Sequence, residues 1–198
     1  MRDAVSPSPL PGRLIDRAHR EIALLREVAR LWRDRRGIAA VEFALTLPFI
    51  VLLYLGSVEV SEAIAIQRLV GLSASTVANI ATQYQVISTS QTMPDILAAS
   101  TAVLAPYPPA NALVRVSYIT VDSKGVATVA WSQAQNGAAL ATVTLPAALD
   151  VPNTAVIFGE TNYAFKPLYD YINFGTFNLY SSVYMYPRSP TGSITLAP

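Results

Sequence analysis

Cysteine is absent from the 198 residues, histidine occurs once, and only 14% of side chains are charged. The first absence excludes disulfide scaffolds, cysteine nucleophiles and thiolate zinc sites. The single histidine, His19, lies among arginines ahead of a long apolar run, so it cannot complete a triad with a serine beyond that run. No phosphate-binding glycine loop, metal-ligand pair or carboxylate dyad in a recognisable context is present. Acidic residues are sparse after Glu62: Asp95, Asp122, Asp150, Glu160 and Asp170 stand far apart and read as solvated turn residues. The expectation is a protein that is not an enzyme, with no catalytic residue, no cofactor and no metal. The acidic balance of the larger part also argues against nucleic acid as a partner.

What the chain does have is a concentration of apolar residues. Hydrophobic side chains make up 52% of the sequence. The densest run extends from Ile38 to about Val60, with Glu42 as its one charge before Glu59. About 20 apolar residues suffice for a helix to cross a bilayer. A carboxylate inside such a helix costs roughly 2.5–3.5 kcal/mol on insertion scales, so it usually has a partner and a purpose. Glu59 needs no such account, since at the outer end a solvated carboxylate costs little. A cleavable secretory signal would have a shorter apolar region, with a small-residue site directly after it. The length of this run and the presence of Glu42 argue against that.

The formal net charge of +1 conceals a split. Residues 1–37 carry nine Lys+Arg against five Asp+Glu, and residues 38–198 carry five against eight. Basic residues beside a transmembrane end stay cytoplasmic. Arg33, Arg35 and Arg36 crowd the N-terminal flank and are the topology-setting residues. The expected layout is a cytoplasmic basic presequence over 1–37, a transmembrane helix over 38–60, and an exported α+β domain over 61–198. Within the presequence, Leu14, Ala18, Ile22, Leu25, Ala29 and Trp32 form one apolar stripe of an amphipathic helix. That helix either lies on the anionic inner leaflet or is simply a solvated cytoplasmic segment.

Further along, helical periodicity continues to Tyr84, with Gly71 as a weak point. Pro48 removes a hydrogen bond to the carbonyl of Ala44, and the hydroxyl of Thr46 is a nearby substitute donor. A second helix is expected over 94–104, with Pro94 in its first turn. After Ala110 the texture turns to β. Val114, Val116, Tyr118 and Thr120 alternate with Arg115, Ser117 and Ile119, and Asp122-Ser123-Lys124-Gly125 is a turn leading to a return strand over 126–131. Asn136-Gly137 marks another turn, and 138–151 is ambiguous. Two more strands are expected over 155–165 and 177–186. Helices followed by antiparallel strands give an α+β class, with a small sheet packed on a long helix that emerges from the membrane. The ten tyrosines, many of them in the last third, serve either as strand-packing aromatics or as a binding face.

The stretch Arg35-Arg36-Gly37-Ile38-Ala39-Ala40-Val41-Glu42-Phe43-Ala44-Leu45, continued by Leu47-Pro48, Gly56 and Glu59, resembles the processing region of TadE-like proteins. These are minor pseudopilins of the tight-adherence (Tad) pilus system. Trp131-Ser132, Asn136-Gly137, the strand around Tyr163 and the run from Tyr184 to Arg188 are more loosely similar to the family's C-terminal half. The resemblance implies a pilin-like fold and a cut after Gly37 by a prepilin peptidase, leaving Ile38 as the new N-terminus. Glu42 and Phe43 then become assembly residues, with Glu42 at position five of the mature chain. The implied partners are the prepilin peptidase, other pilins or pseudopilins of the machine, and inner-membrane lipid. The implied location is the bacterial inner membrane, single-pass, with the N-terminus cytoplasmic and the C-terminal domain periplasmic.

The residue types suit that chemistry. A glycine at the cut lets the backbone extend into a protease groove. The arginines hold the site at the inner membrane surface. The liberated α-amine can pair with a carboxylate one turn inside, on its own chain or a neighbour's, and pairing between subunits fixes axial register. The competing reading is an uncleaved bitopic protein whose exported domain binds envelope glycan or a protein partner, with Glu42 an incidental carboxylate.

Overall fold

The computed structural model describes residues 36–168 and 175–198. Expectations for the amphipathic presequence helix, His19, Arg33, Arg35, Tyr169, Asp170 and Tyr171 lie outside those residues. The described chain is α+β, as its sequence pattern indicates. A 46-residue helix α1 (Arg36–Ala81) leads into a short strand β1 (Val86–Ser88) and helix α2 (Thr92–Ala102). After a 3-10 turn come β2 (Ala112–Val121), β3 (Ala127–Gln135), β4 (Ala155–Phe165), β5 (Phe177–Met185) and β6 (Thr195–Ala197).

Helix α1 divides by environment. Every side chain described from Gly37 to Tyr54 is exposed, and residues Leu55–Pro198 form a separate compact unit. Within that unit α1 buries Ile66, Val70, Ala74, Val77, Ala78 and Ala81. These recur at helical spacing, so they form one stripe facing the sheet. Gly71 does not weaken the helix, which passes through it unbroken; a Cβ there would meet the Ser181 hydroxyl at 3.6 Å, an ordinary contact. Helix α2 begins two residues earlier than its pattern suggests, putting Pro94 at its third position. The missing N–H costs nothing there, because first-turn amides have no intrahelical acceptor.

The main sheet has the order β3-β2-β4-β5 and is antiparallel throughout. Ala112, Val114, Val116 and Tyr118 pair with Tyr163, Thr161, Gly159 and Ile157, and this set faces α1. Gly159 sets the closeness of approach. A Cβ on it would lie 2.7 Å from the Ala74 carbonyl oxygen, 2.8 Å from Ala78 Cβ and 3.0 Å from Val77. Beside it, Ser73 and Thr161 satisfy each other's buried hydroxyls at 3.1 Å.

These contacts fix directions. The strand β4 starts against Ala78–Ala81 and finishes against Ile66 and Val70, so it runs antiparallel to α1. Both β2 and β5 run parallel to α1. The end of β4 and the start of β5 therefore lie at the Ile66 end of the domain, and the β2–β3 turn lies at the opposite end.

The far side of the sheet is the less expected one. Segment 138–151 forms no strand or helix, yet Leu140, Val143 and Leu145 cover Ile119, Val121, Val156 and Phe158. The alternation in β2 is therefore buried on both faces at this end, assisted by a register shift against β3 between Tyr118 and Ile119. The return strand runs to Gln135 rather than 131. Asn136 ends it at φ 58 and donates to the carbonyls of Pro109 and Ala112 at 3.0 and 2.9 Å. Left-handed backbone favours asparagine among non-glycine residues.

The C-terminal segment has a structural role that its composition conceals. Strand β6 pairs in parallel with β1, and Ile194 is buried in the main core. Trp131 donates its indole N–H to the Ile194 carbonyl at 3.0 Å while stacking on Tyr118.

Candidate functional site

The sequence-identified site occupies the first two turns of α1. Gly37 is the second helical residue, and a Cβ added to it would meet nothing within 4 Å. Its lack of a side chain therefore answers no packing or dihedral demand among the described residues. Since it is helical here, the extended form expected at a protease groove requires the first turn to unwind. Ile38, Glu42 and Phe43 are exposed. Four residues separate Ile38 from Glu42, which places them on one face about 6 Å apart along the axis. An α-amine at residue 38 would sit at a helix N-terminus, where the macrodipole disfavours positive charge. A carboxylate one turn along the same face offsets that penalty.

Thr46 behaves differently from its expected part. Its hydroxyl donates to the carbonyl of Glu42 at 3.0 Å and to that of Phe43 at 3.1 Å, rather than replacing the bond that Pro48 removes at Ala44. Threonine in a helix has a carbonyl one turn back within reach, whereas Ala44 is only two residues away, off the helical hydrogen-bonding direction. The backbone carrying Glu42 and Phe43 is thereby hydrogen-bonded by a side chain immediately ahead of the proline.

Exposed apolar residues surround Glu42. Val41, Leu45, Phe49 and Leu53 are among those open to their surroundings. Such continuous apolar exposure marks a surface made for a non-aqueous or protein neighbour. Among the described residues one helix is long and apolar enough to cross a membrane, which is consistent with a single-pass protein.

A second polar constellation was missed in the sequence. Glu160 is no solvated turn residue: it lies mid-strand in β4, 5% exposed. Arg115 of β2 donates from Nε to its carboxylate and from Nη1 to the carbonyl of Ala138 at 2.9 Å. Tyr180 of β5 donates its hydroxyl to the other carboxylate oxygen at 3.1 Å. Burial raises the Tyr180 phenol above its ordinary pKa, with Glu160 adding to the rise and Ser182 and Arg115 opposing it. Three strands and the 138–151 segment are thus joined through one satisfied ion pair. The strict alternation around Arg115 was the available signal, since it sets that arginine on a sheet face rather than in a turn.

The remaining aromatics mostly pack. Tyr118 stacks on Trp131, Tyr184 stacks on Phe158, and Tyr163 meets Tyr107 edge-on. These contacts favour strand packing over a continuous tyrosine binding face. No group of three or more metal-ligating side chains forms among the described residues.

Comparison with known proteins yields one family. The model described as TadE-like protein matches residues 37–79. The span starts at the candidate cleavage glycine, includes Glu42 and Phe43, and extends along α1 to the buried stripe. The looser likeness at Trp131, Asn136, Tyr163 and Tyr184–Arg188 falls beyond it. No curated protein and no solved structure matches the chain. The family points to a protein associated with the Tad pilus.

Proposed function

We propose, for a chain whose residues 37–79 match the model described as TadE-like protein, that it is a minor pseudopilin-like subunit supporting assembly of a Tad-type adhesive pilus. It inserts with residues 1–37 in the cytoplasm, directed by Arg33, Arg35 and Arg36. A prepilin peptidase cuts after Gly37. The mature chain, beginning at Ile38, stays in the inner membrane through its helix with the α+β domain in the periplasm. Glu42 pairs with the new amine of the same or a neighbouring subunit, and Phe43 packs beside it. The subunit is structural, and its partners are the peptidase, other pilins or pseudopilins, and lipid.

One observation carries the reading: an otherwise apolar, fully exposed helical segment presents a single carboxylate one turn inside a glycine that the fold itself does not require. Exposure leaves Glu42 available to a neighbour, and the open space at Gly37 supports a demand from outside the chain.

The test is site-directed crosslinking within the membrane. Glu42→Ala should leave insertion and trimming intact while abolishing crosslinks to other pilus subunits. Unchanged crosslinks would refute the register role of Glu42.

A further inference from the structure

The turn pair Asn136-Gly137 carries a chemistry of its own. An asparagine followed by glycine is open to deamidation, because the next residue has no side chain to shield its amide nitrogen. No other asparagine in the chain precedes a glycine. In that reaction the nitrogen of Gly137 attacks the side-chain carbonyl carbon of Asn136, Cγ. A bond forms between them, the Cγ–Nδ2 bond breaks, and ammonia leaves with the proton that Gly137 gives up. Water then opens the cyclic imide at either carbonyl, giving aspartate or isoaspartate. No oxidant or reductant is needed.

The fold engages both reacting residues. Asn136 is exposed and left-handed at φ 58, just after Gln135 makes the last pairing of β3 with β2, to Val114. Its Nδ2 donates to the carbonyls of Pro109 and Ala112 at 3.0 and 2.9 Å. One amide nitrogen thus ties the end of β3 to the 3-10 turn and to the start of β2. That nitrogen is the leaving group, so ammonia cannot depart without breaking both bonds. The attacking residue is held as well. A Cβ on Gly137 would lie 2.1 Å from Leu113 Cδ1 and 2.8 Å from its Cγ, so the Gly137 backbone is seated against that side chain. One residue on, the Ala138 carbonyl accepts from Arg115 at 2.9 Å, and Arg115 is itself anchored by Glu160. All of these groups belong to the unit Leu55–Pro198.

We infer that Asn136 is a shielded deamidation site, converted when residues 109–112 part from the end of β3, and that its conversion prevents the same closure from re-forming. An ionised aspartate has acceptor oxygens only. It would face the same two carbonyls with no proton to offer and a charge that repels them. Isoaspartate adds a backbone methylene between 136 and 137, which displaces Gly137 from its seat on Leu113. The product is a lasting record of an opening that otherwise leaves no trace. The two bonds made by the leaving nitrogen hold the folded rate at least about tenfold below that of the unfolded chain.

The inference depends neither on the cut after Gly37 nor on a bilayer, so it is tested on the full chain in detergent. Samples are held at neutral pH, either folded or unfolded in guanidinium chloride. Mass spectrometry that separates asparagine, aspartate and isoaspartate follows the peptide containing residue 136. The unfolded chain should convert steadily, and the folded chain at least about tenfold more slowly. Leu113→Ala, which frees Gly137 without touching the reacting pair, should raise the folded rate toward the unfolded one. Equal rates in the folded and unfolded wild-type chain would overturn the inference; should Leu113→Ala not fold, that comparison decides alone. The consequence of conversion is read in denaturation midpoints. Asn136→Asp should lower the midpoint. Asn153→Asp should leave it in place, since that asparagine is also left-handed, at φ 59, but its side chain makes no hydrogen bond among the described residues. An Asn136→Asp midpoint equal to that of the wild type would overturn the lasting record.

Discussion

Gly37 and Gly159 are the same residue type under opposite constraints. Gly37 has open space around it, so Gly37→Ala should fold normally and even favour the helix by about 1 kcal/mol. Any loss of processing in that variant then reports on a protease rather than on folding. Gly159 has no space at all, and the atom nearest a new Cβ is backbone. Gly159→Ala should cost about 1–3 kcal/mol through overpacking. Chemical denaturation of the detergent-solubilised chain would measure it, and an unchanged midpoint would contradict the close approach of α1 to β4. The buried acid gives a second contrast. Glu160→Ala strands the Arg115 guanidinium and should cost about 3 kcal/mol. Tyr180→Phe removes one hydrogen bond and should cost about 1 kcal/mol. Equal effects from the two would deny the ion pair its central place.

Titration belongs to this scale too. Burial raises both Tyr180 and Tyr184 from an ordinary value of 10.0. A raised phenol keeps its proton longer when folded than when unfolded. Below pH 10 both states are protonated, and stability is unaffected. As pH rises through the folded value, the unfolded chain ionises first and stability falls. Tyr180→Phe should flatten that alkaline decline in denaturation midpoints, and an unaltered slope would contradict it.

Among the elements, legibility followed the range of the interactions. The α1 helix, the limits of β4 and the Asp122–Gly125 turn were readable because periodicity and turn chemistry are local. Asp122 accepts from the amides of Lys124 and Val126, both at 2.8 Å, as such a turn requires. The pairing of β6 with β1 was not readable: three-residue strands more than a hundred positions apart leave no pattern in either segment. The covering segment 138–151 was unreadable for a related reason, since its apolar residues answer the far face of the sheet rather than a period of their own. Glu160 was misread because a strand acid looks solvated until its partner, 45 residues away, is brought beside it. The stretch from Gly37 through Phe43 was legible as a family signature, since its residues lie close together along one helix and fall within the matched span. At this scale topology is also testable. Deleting residues 1–24 should leave orientation unchanged if Arg26 to Arg36 suffice; an inverted reporter fusion would show that they do not.

At the scale of the whole molecule, the chain comprises two units of different surface character. The exposed segment Gly37–Tyr54 is apolar beyond what water favours, while the unit from Leu55 onward buries a conventional two-faced sheet. One helix serves both, exposed and apolar at its start and core-forming at its end. The family match ends at residue 79, close to where α1 ends. The proposed account rests on one event, the conversion of the precursor into a chain with a free amine beside Glu42. Intact-mass analysis and N-terminal sequencing of protein purified from cells with an active prepilin peptidase test it directly. The account predicts a chain beginning at Ile38, and accumulation of the uncut form in Gly37→Ala; a wild-type product still beginning at Met1 would contradict it.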